Sequence, residues 1–251
     1  MKKIFRFAVA AGIMFGATLL TACGDDGKPD PEFPVTRLTL TGWNFSSDSH
    51  EDICIGEIKT KDTHPEINVS STDPAIGVTY ALMPDTDDGM YVYKILASMA
   101  ERTVSTPVAS TVEVEVVGKT NERTYKKVIV RQQGFPSGID MSSLAGNYTL
   151  GIVKELDADD GDYEELTHGV SVNLNLDASG NATFSGISGT DDFSEGTFTY
   201  SIEGNKLRIG RDVYTVVSFQ NMPGEKILVV EYPQMKGNIV DEYEQYTFMG
   251  K

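Results

Sequence analysis

The sequence predicts an almost entirely β protein, built as a first β domain followed by an eight-stranded antiparallel meander closed into a short barrel. Three observations carry this expectation. Beyond residue 32, no window of about 11 residues or more holds a convincing helical apolar period, whereas two-residue alternation recurs throughout. Clusters of Gly, Asn, Asp, Ser and Pro punctuate the alternating runs at short intervals, as turns between strands require. Finally, 40% hydrophobic residues in a chain of 251 is enough to build globular cores.

The first thirty residues follow a different pattern. Lys2, Lys3 and Arg6 precede an apolar run over residues 7–20, and Leu20-Thr21-Ala22-Cys23 places small residues directly before a cysteine. A basic start, an apolar middle and a small-residue cleavage site define a secretory signal. The apolar run is shorter than the roughly 20 residues a spanning helix needs. Leu20-Thr21-Ala22-Cys23 resembles the lipobox of bacterial lipoproteins. That resemblance implies cleavage after residue 22 and lipid attachment at Cys23, hence anchoring to the outer membrane without a transmembrane segment. Acyl chains contribute about 0.8 kcal/mol per buried CH₂, so several chains on one residue hold a protein stably on a membrane. Residues 23–32 are a Gly, Pro and Asp tract that reads as a flexible tether. Its acidic residues are similar to the export signal that sends some lipoproteins to the cell surface.

Charge narrows the partners. With 37 Asp plus Glu against 21 Lys plus Arg, the net charge is −16. Such a chain repels nucleic acid and anionic lipid, so the membrane is reached through the lipid alone. Loss of Cys23 to lipid leaves Cys54 without a partner, and Ile53-Cys54-Ile55 is a context in which free Cys is a small buried hydrophobe.

The first β domain is expected over residues 33–134. Residues 35–41 form a strand with Leu38 and Leu40 on one face. Residues 91–102 are mixed in character: Ile95, Leu96, Met99 and Ala100 fit one helical face, while Tyr91-Val92-Tyr93 favours a strand. Residues 111–117 and 123–132 read as a hairpin, Val112, Val114 and Val116 facing a core and Glu113 and Glu115 facing water. The ending Val128-Ile129-Val130-Arg131-Gln132-Gln133-Gly134, with the short strands before it, resembles bacterial immunoglobulin-like modules, including BACON-type domains. The resemblance implies a β-sandwich acting as a spacer or adhesive unit. Phe135-Pro136-Ser137-Gly138 interrupts the strand pattern and is expected to be a hinge at residues 135–138.

Eight alternating runs follow within residues 139–251: 148–153, 170–176, 182–187, 197–202, 207–209, 213–219, 227–232 and 243–249. Short Gly-, Asn- and Asp-rich joins make them an up-and-down meander, which loses its free edges by closing into a barrel, with a flattened β-sandwich as the alternative. Leu144-Ala145-Gly146-Asn147-Tyr148 looks like the Gly-x-Trp opening of lipocalins, with Tyr148 in place of Trp. The resemblance implies a lipocalin-like β-barrel in which inward Tyr148, Phe184, Phe198 and Tyr200 meet a small apolar ligand. The competing expectation is that these side chains fill the core, since an eight-stranded interior is only just wide enough for them.

Other chemistry has weak raw material. Asp157-Ala158-Asp159-Asp160-Gly161-Asp162 concentrates oxygen ligands, but its spacing fails the helical calcium-loop pattern, and the reading is a hairpin turn rather than a calcium site. The run Asp85-Thr86-Asp87-Asp88-Gly89 repeats that composition. His50, His64 and His168 are the only histidines, and no carboxylate pair stands out. Trp43 fits either a core plug or an exposed sugar platform. The sequence therefore leads to a lipid-anchored, surface-exposed outer-membrane binding protein without enzymatic activity, metal or cofactor. Its partner is a small apolar molecule or surface glycan. The alternative is a structural or accessory subunit packed against another envelope protein.

Overall fold

A computed structural model of the chain describes residues 37–83, 89–119 and 121–251. The signal, Cys23, the tether and residues 85–88 lie outside the described residues. Eight strands form the N-terminal part: β1 (Arg37–Leu38), β2 (Asn44–Phe45), β3 (His50–Thr60), β4 (Glu66–Ser71), β5 (Ile76–Leu82), β6 (Tyr91–Met99), β7 (Val108–Val117) and β8 (Arg123–Gln132). They make two four-stranded sheets, ordered β1-β3-β6-β5 and β2-β8-β7-β4. All neighbours pair antiparallel except β2 with β8.

One hydrophobic core serves both sheets. Ile55, Ile58, Ile76 and Ile95 come from the first, and Ile67, Val112, Val114, Val116 and Val130 from the second. The β7–β8 hairpin follows its alternation: the three valines of β7 are buried, while Glu115 on the other face accepts from Arg123 at 2.8 Å. Residues 91–102 resolve as strand rather than helix. β6 lies between β3 and β5, and Tyr93, Ile95, Ala97 and Met99 are buried at every second position. Two flanking ladders satisfy its backbone, which a single helical face of apolar residues could not outweigh.

The C-terminal part holds a short helix, α1 (Met141–Leu144), and nine strands: β9 (Gly146–Asp157), β10 (Tyr163–Leu166), β11 (Ser171–Leu176), β12 (Asn181–Ser188), β13 (Gly196–Glu203), β14 (Lys206–Ile209), β15 (Asp212–Met222), β16 (Glu225–Lys236) and β17 (Ile239–Gly250). β9 and β11 to β17 run as an antiparallel meander that β17 closes on β9, giving an eight-stranded barrel. Each of the eight expected runs falls on one of these strands. β10 is an addition. It continues along the edge of β9 that β11 leaves, with Leu166 opposite Val153 and Tyr163 opposite Leu156.

The helix seals one end of the barrel. Asp140 caps it, accepting from Ser143 N at 2.7 Å while Asp140 N donates to Ser143 Oγ at 3.0 Å. Leu144 is buried in the barrel core. Lys226 Nζ donates to the carbonyls of Ser143 and Ala145, binding helix to barrel. Among the described residues no helix is long and apolar enough to cross a membrane.

The described residues belong to a single compact unit. Residues 135–138 connect β8 to α1, with Phe135 N bonded to the Val104 carbonyl at 2.7 Å. Leu156 and Tyr243 of the barrel belong to the core of the N-terminal sheets. Gly161, at φ 73°, brings its backbone against Ile55 and Gly56, where a Cβ would lie 2.7 Å from Gly56 N. The rest of the contact is a polar network. Asp48 accepts from Lys206 Nζ, from Thr215 Oγ1 at 2.6 Å and from Asn205 Nδ2 at 3.3 Å. His50 Nε2 and Glu231 Oε1 are 3.2 Å apart, and both residues are 2% exposed. Gln245 Nε2 reaches Glu231 Oε2 at 2.9 Å and the Asn44 carbonyl at 2.6 Å. Burial alone would raise the Glu231 carboxyl, but bonds from His50, Ser46 and Gln245 hold it below its ordinary value. Asp48 is likewise pushed up by burial and brought net lower by Lys206 and Thr215.

Candidate functional site at the open end of the barrel

Opposite the sealed end, the joins β12–β13 and β14–β15 border a cleft of about 430 Å³. Phe184, Phe193, Phe198 and Tyr214 supply its apolar surface, and Asp192, Arg211 and Asp212 its polar groups. Phe184 enters from β12 and Phe198 from β13 by strand alternation, their ring centroids 6.3 Å apart.

Phe193 arrives differently. It sits in the join over residues 189–195, whose surroundings are largely exposed, yet its own ring is only 7% exposed. The ring lies 5.2 Å from Phe184, 4.8 Å from Tyr246 and 6.1 Å from Phe248. It lines both the outer cleft and an inner void of about 10 Å³, which Leu174, Leu228 and Val230 also enclose. The void holds one water at most, so side chains fill the barrel interior. Phe193, with Phe184, Ile209 and Tyr214, forms the boundary between the filled interior and the open cleft.

Of the four side chains expected to meet a ligand, Phe184 and Phe198 line the cleft. Tyr148 and Tyr200 do not. The Tyr148 hydroxyl donates to the Leu144 carbonyl at 2.6 Å, and the Tyr200 hydroxyl lies 2.7 Å from the Asp177 carbonyl and 3.1 Å from that of Met141. Both are therefore engaged at the helix-sealed end. Cys23 lies outside the described residues. Phe193 escaped the sequence reading because Gly189-Thr190-Asp191-Asp192-Phe193-Ser194-Glu195-Gly196 has turn composition. The available signal was a lone aromatic bracketed by two glycines in an otherwise polar join.

Carboxylates crowd the same end. Strand register puts Glu164 opposite Glu155, and Glu155 opposite Glu244. Glu242 lies opposite Asp157 on the neighbouring row. Among the described residues no Lys or Arg forms an ion pair with Glu155, Glu164, Glu242 or Glu244, since Lys154 pairs with Glu165 and Lys236 with Asp241. Burial, then Glu242, Glu164 and Asp192, raise the Glu155 carboxyl to about 7. Burial also raises Glu244 to about 7, with Asp192 and Glu242 adding to it and bonds from Tyr246 and Gln234 opposing. Like charges facing one another across strands are unfavourable, so this rim resists further negative charge.

The remaining candidates have structural partners. Asp157 Oδ1 accepts from Asp159 N at 2.7 Å and Asp160 N at 3.1 Å, the geometry of a turn. Among the described residues no group of three or more His, Cys, Asp or Glu is placed to hold a metal ion. Cys54 is buried, and burial pushes its thiol up to about 12. Trp43 is buried, edge-on to Phe45 and Tyr163. His50 belongs to the polar network, and His64 Nδ1 lies 2.8 Å from Oγ1 of its neighbour Thr63. No protein-family model matches the chain, and no curated protein aligns with it.

Proposed function

We propose that this chain is a non-enzymatic, lipid-anchored binding protein of the outer membrane, exposed at the cell surface, whose barrel takes a small, mostly apolar molecule at its open end. The cleft of about 430 Å³ carries this reading. It is concave, floored by aromatic rings and rimmed by few polar groups, as small-molecule sites usually are. The signal and Cys23 support the anchor, and the −16 net charge supports a partner other than nucleic acid. An immunoglobulin-like spacer is supported by strand order. Lettering β1 as A, β2 as A′ and β3 to β8 as B to G gives A-B-E-D and A′-G-F-C, close to the order of that fold. The closed meander supports lipocalin-like kinship at the level of architecture only.

The test is native mass spectrometry of the full chain purified from its own host's envelope, before and after organic extraction. A discrete, extractable small molecule that protects the cleft residues is expected. An apo mass, with no ligand recovered at any detergent level, would overturn the binding reading. Cys23→Ala should move the protein out of the membrane fraction, and unchanged membrane association would overturn the anchor.

A second reading, an accessory subunit, is favoured by one observation. β5 ends the first sheet with Tyr80 and Leu82, 45% and 53% exposed. A free edge with exposed apolar side chains is a template for pairing with another chain. Cross-linking in intact cells distinguishes the two readings: adducts through β5 support the subunit, and adducts confined to the cleft support the carrier.

A further inference from the structure

We propose that the β12–β13 join is a movable flap, and that the space filled by the Phe193 ring is the inner half of a site for an uncharged, ring-bearing apolar molecule. This rests on the binding reading above and adds to it the gate and the class of ligand.

The gate follows from how the flap is held. Among the described residues, the hydrogen bonds from residues 189–195 to the barrel are those accepted by Glu195 Oε1, from Gly186 N at 3.1 Å and Ile187 N at 3.4 Å. Thr190 and Asp192 bond only to each other. Gly189 at φ 76° and Gly196 at φ 145° bracket the segment in backbone conformations that L side chains rarely adopt. Such positions absorb the dihedral changes of hinge motion. Beyond those bonds, the flap is held by the Phe193 ring against Phe184, Tyr246 and Phe248, and at its first residue by the Gly189 backbone packed on Gly169. A flap with few bonds and one apolar plug opens at a far lower cost than a strand.

Ligand class follows from what the moving ring would leave. Four side chains line both the inner void and the outer cleft, Phe184, Phe193, Ile209 and Tyr214, and Phe193 is the one carried by a join rather than a strand, so its withdrawal is what would connect the two spaces. The vacated space would be walled by aromatic rings and by Leu174 and Val230, which suits a flat apolar ring in edge-on contact. Charge selects further. An anionic head in the cleft would meet Asp192 and Asp212 of its lining, and Asp192 in turn lies close enough to Glu155, Glu242 and Glu244 to repel them. Arg211 on the rim is a single exposed cation against them. A fatty-acid carboxylate is therefore disfavoured and a neutral ring favoured.

The test uses two probes with one skeleton, neutral 2-naphthylmethanol and anionic 2-naphthoate. Each is titrated calorimetrically into the full chain in detergent, with an empty-micelle blank. Wild type, Phe193→Ala and Phe193→Leu are compared, with circular dichroism melts confirming that each variant is folded. Expected are about tenfold or greater tightening of 2-naphthylmethanol in Phe193→Ala, a smaller gain in Phe193→Leu, and at least tenfold weaker 2-naphthoate throughout. Equal affinity of folded wild type and both variants would overturn the gate while leaving the cleft reading intact. Equal affinity for the two probes would overturn the ligand class. Failure of every folded form to bind either probe would overturn the gated site, and the binding reading falls with it only if extraction of the native protein also yields nothing.

Discussion

At its contact with the N-terminal sheets the barrel pairs buried carboxylates with cations, histidine and amides, and towards its open end it sets carboxylates against one another without a cation. At the contact, Asp48 has Lys206, Thr215 and Asn205, and Glu231 has His50 and Gln245. Their net shift is downward despite burial. At the open end, Glu155 and Glu244 face one another across β9 and β17 without a cation, and both rise to about 7. The same side-chain type thus fastens one region and destabilises the other. Local inconsistencies that a fold tolerates tend to mark functional surfaces, whereas satisfied networks mark structure. On that ground the open end, and not the histidine-bearing network, is the place to look for binding.

The largest expected effect comes from breaking the fastening. Glu231→Ala leaves His50 buried without its partner, a change that costs about 3–5 kcal/mol and lowers Tm by on the order of 10 °C. Calorimetry checks it, and a fall of only a degree or two would mean that apolar packing of Leu156 and Tyr243 alone fastens the two parts.

Truncating Phe193 and the core Phe248 it packs against sharpens the contrast between strand and flap. Phe248→Ala, in β17, should cost about 3–5 kcal/mol, as core Phe truncations do. Phe193→Ala should cost clearly less, because the space it vacates opens onto the cleft rather than leaving a sealed cavity. Equal losses in chemical denaturation would show the flap to be as fixed as a strand.

The two carboxylate groups should also give opposite pH dependence. Glu155 and Glu244 have raised folded values, so between about 4.5 and about 7 the native state binds more protons than the unfolded chain. Stability from this pair falls as pH rises through that window. Asp48 and Glu231 are lowered, so their contribution is present at neutral pH and is lost as pH falls through their folded values. Tm should therefore pass through a maximum on the acid side of neutrality, and Glu155→Gln should flatten the alkaline limb by about 2–4 °C. An unchanged limb in that variant would remove Glu155 from the account.

The smallest effect concerns Cys54, whose buried thiol should stay unmodified by a thiol reagent at pH 8 until the protein melts. Labelling in the folded state would place β3 in a looser setting than its pairing with β6 indicates.

How much of this was legible beforehand depends on the range of the interactions. Alternation in β7, with Val112, Val114 and Val116 inward, is a local property, as are the turns at Asp177-Ala178-Ser179-Gly180-Asn181 and Glu203-Gly204-Asn205-Lys206. Such signals located all eight barrel strands. β10 was not legible, because Tyr163-Glu164-Glu165-Leu166 has the composition of a loop and becomes a strand only beside β9. Residues 91–102 were ambiguous for the same reason, their strand being decided by neighbours on both sides.

The site divides along the same line. Phe184 and Phe198 could be placed on inward faces from period alone, but which end of the barrel each faces depends on closure and on α1, so Tyr148 and Tyr200 could not be separated from them. By itself the sequence determined the β class and the order of the barrel strands, since these depend on neighbours in the chain and on composition. Only the tertiary structure decided that Asp48 and Glu231 would find partners while Glu155 and Glu244 would face each other, and that Phe193 would fold back into the mouth. Those outcomes depend on residues far apart in sequence meeting through strand register and burial, which no local period encodes.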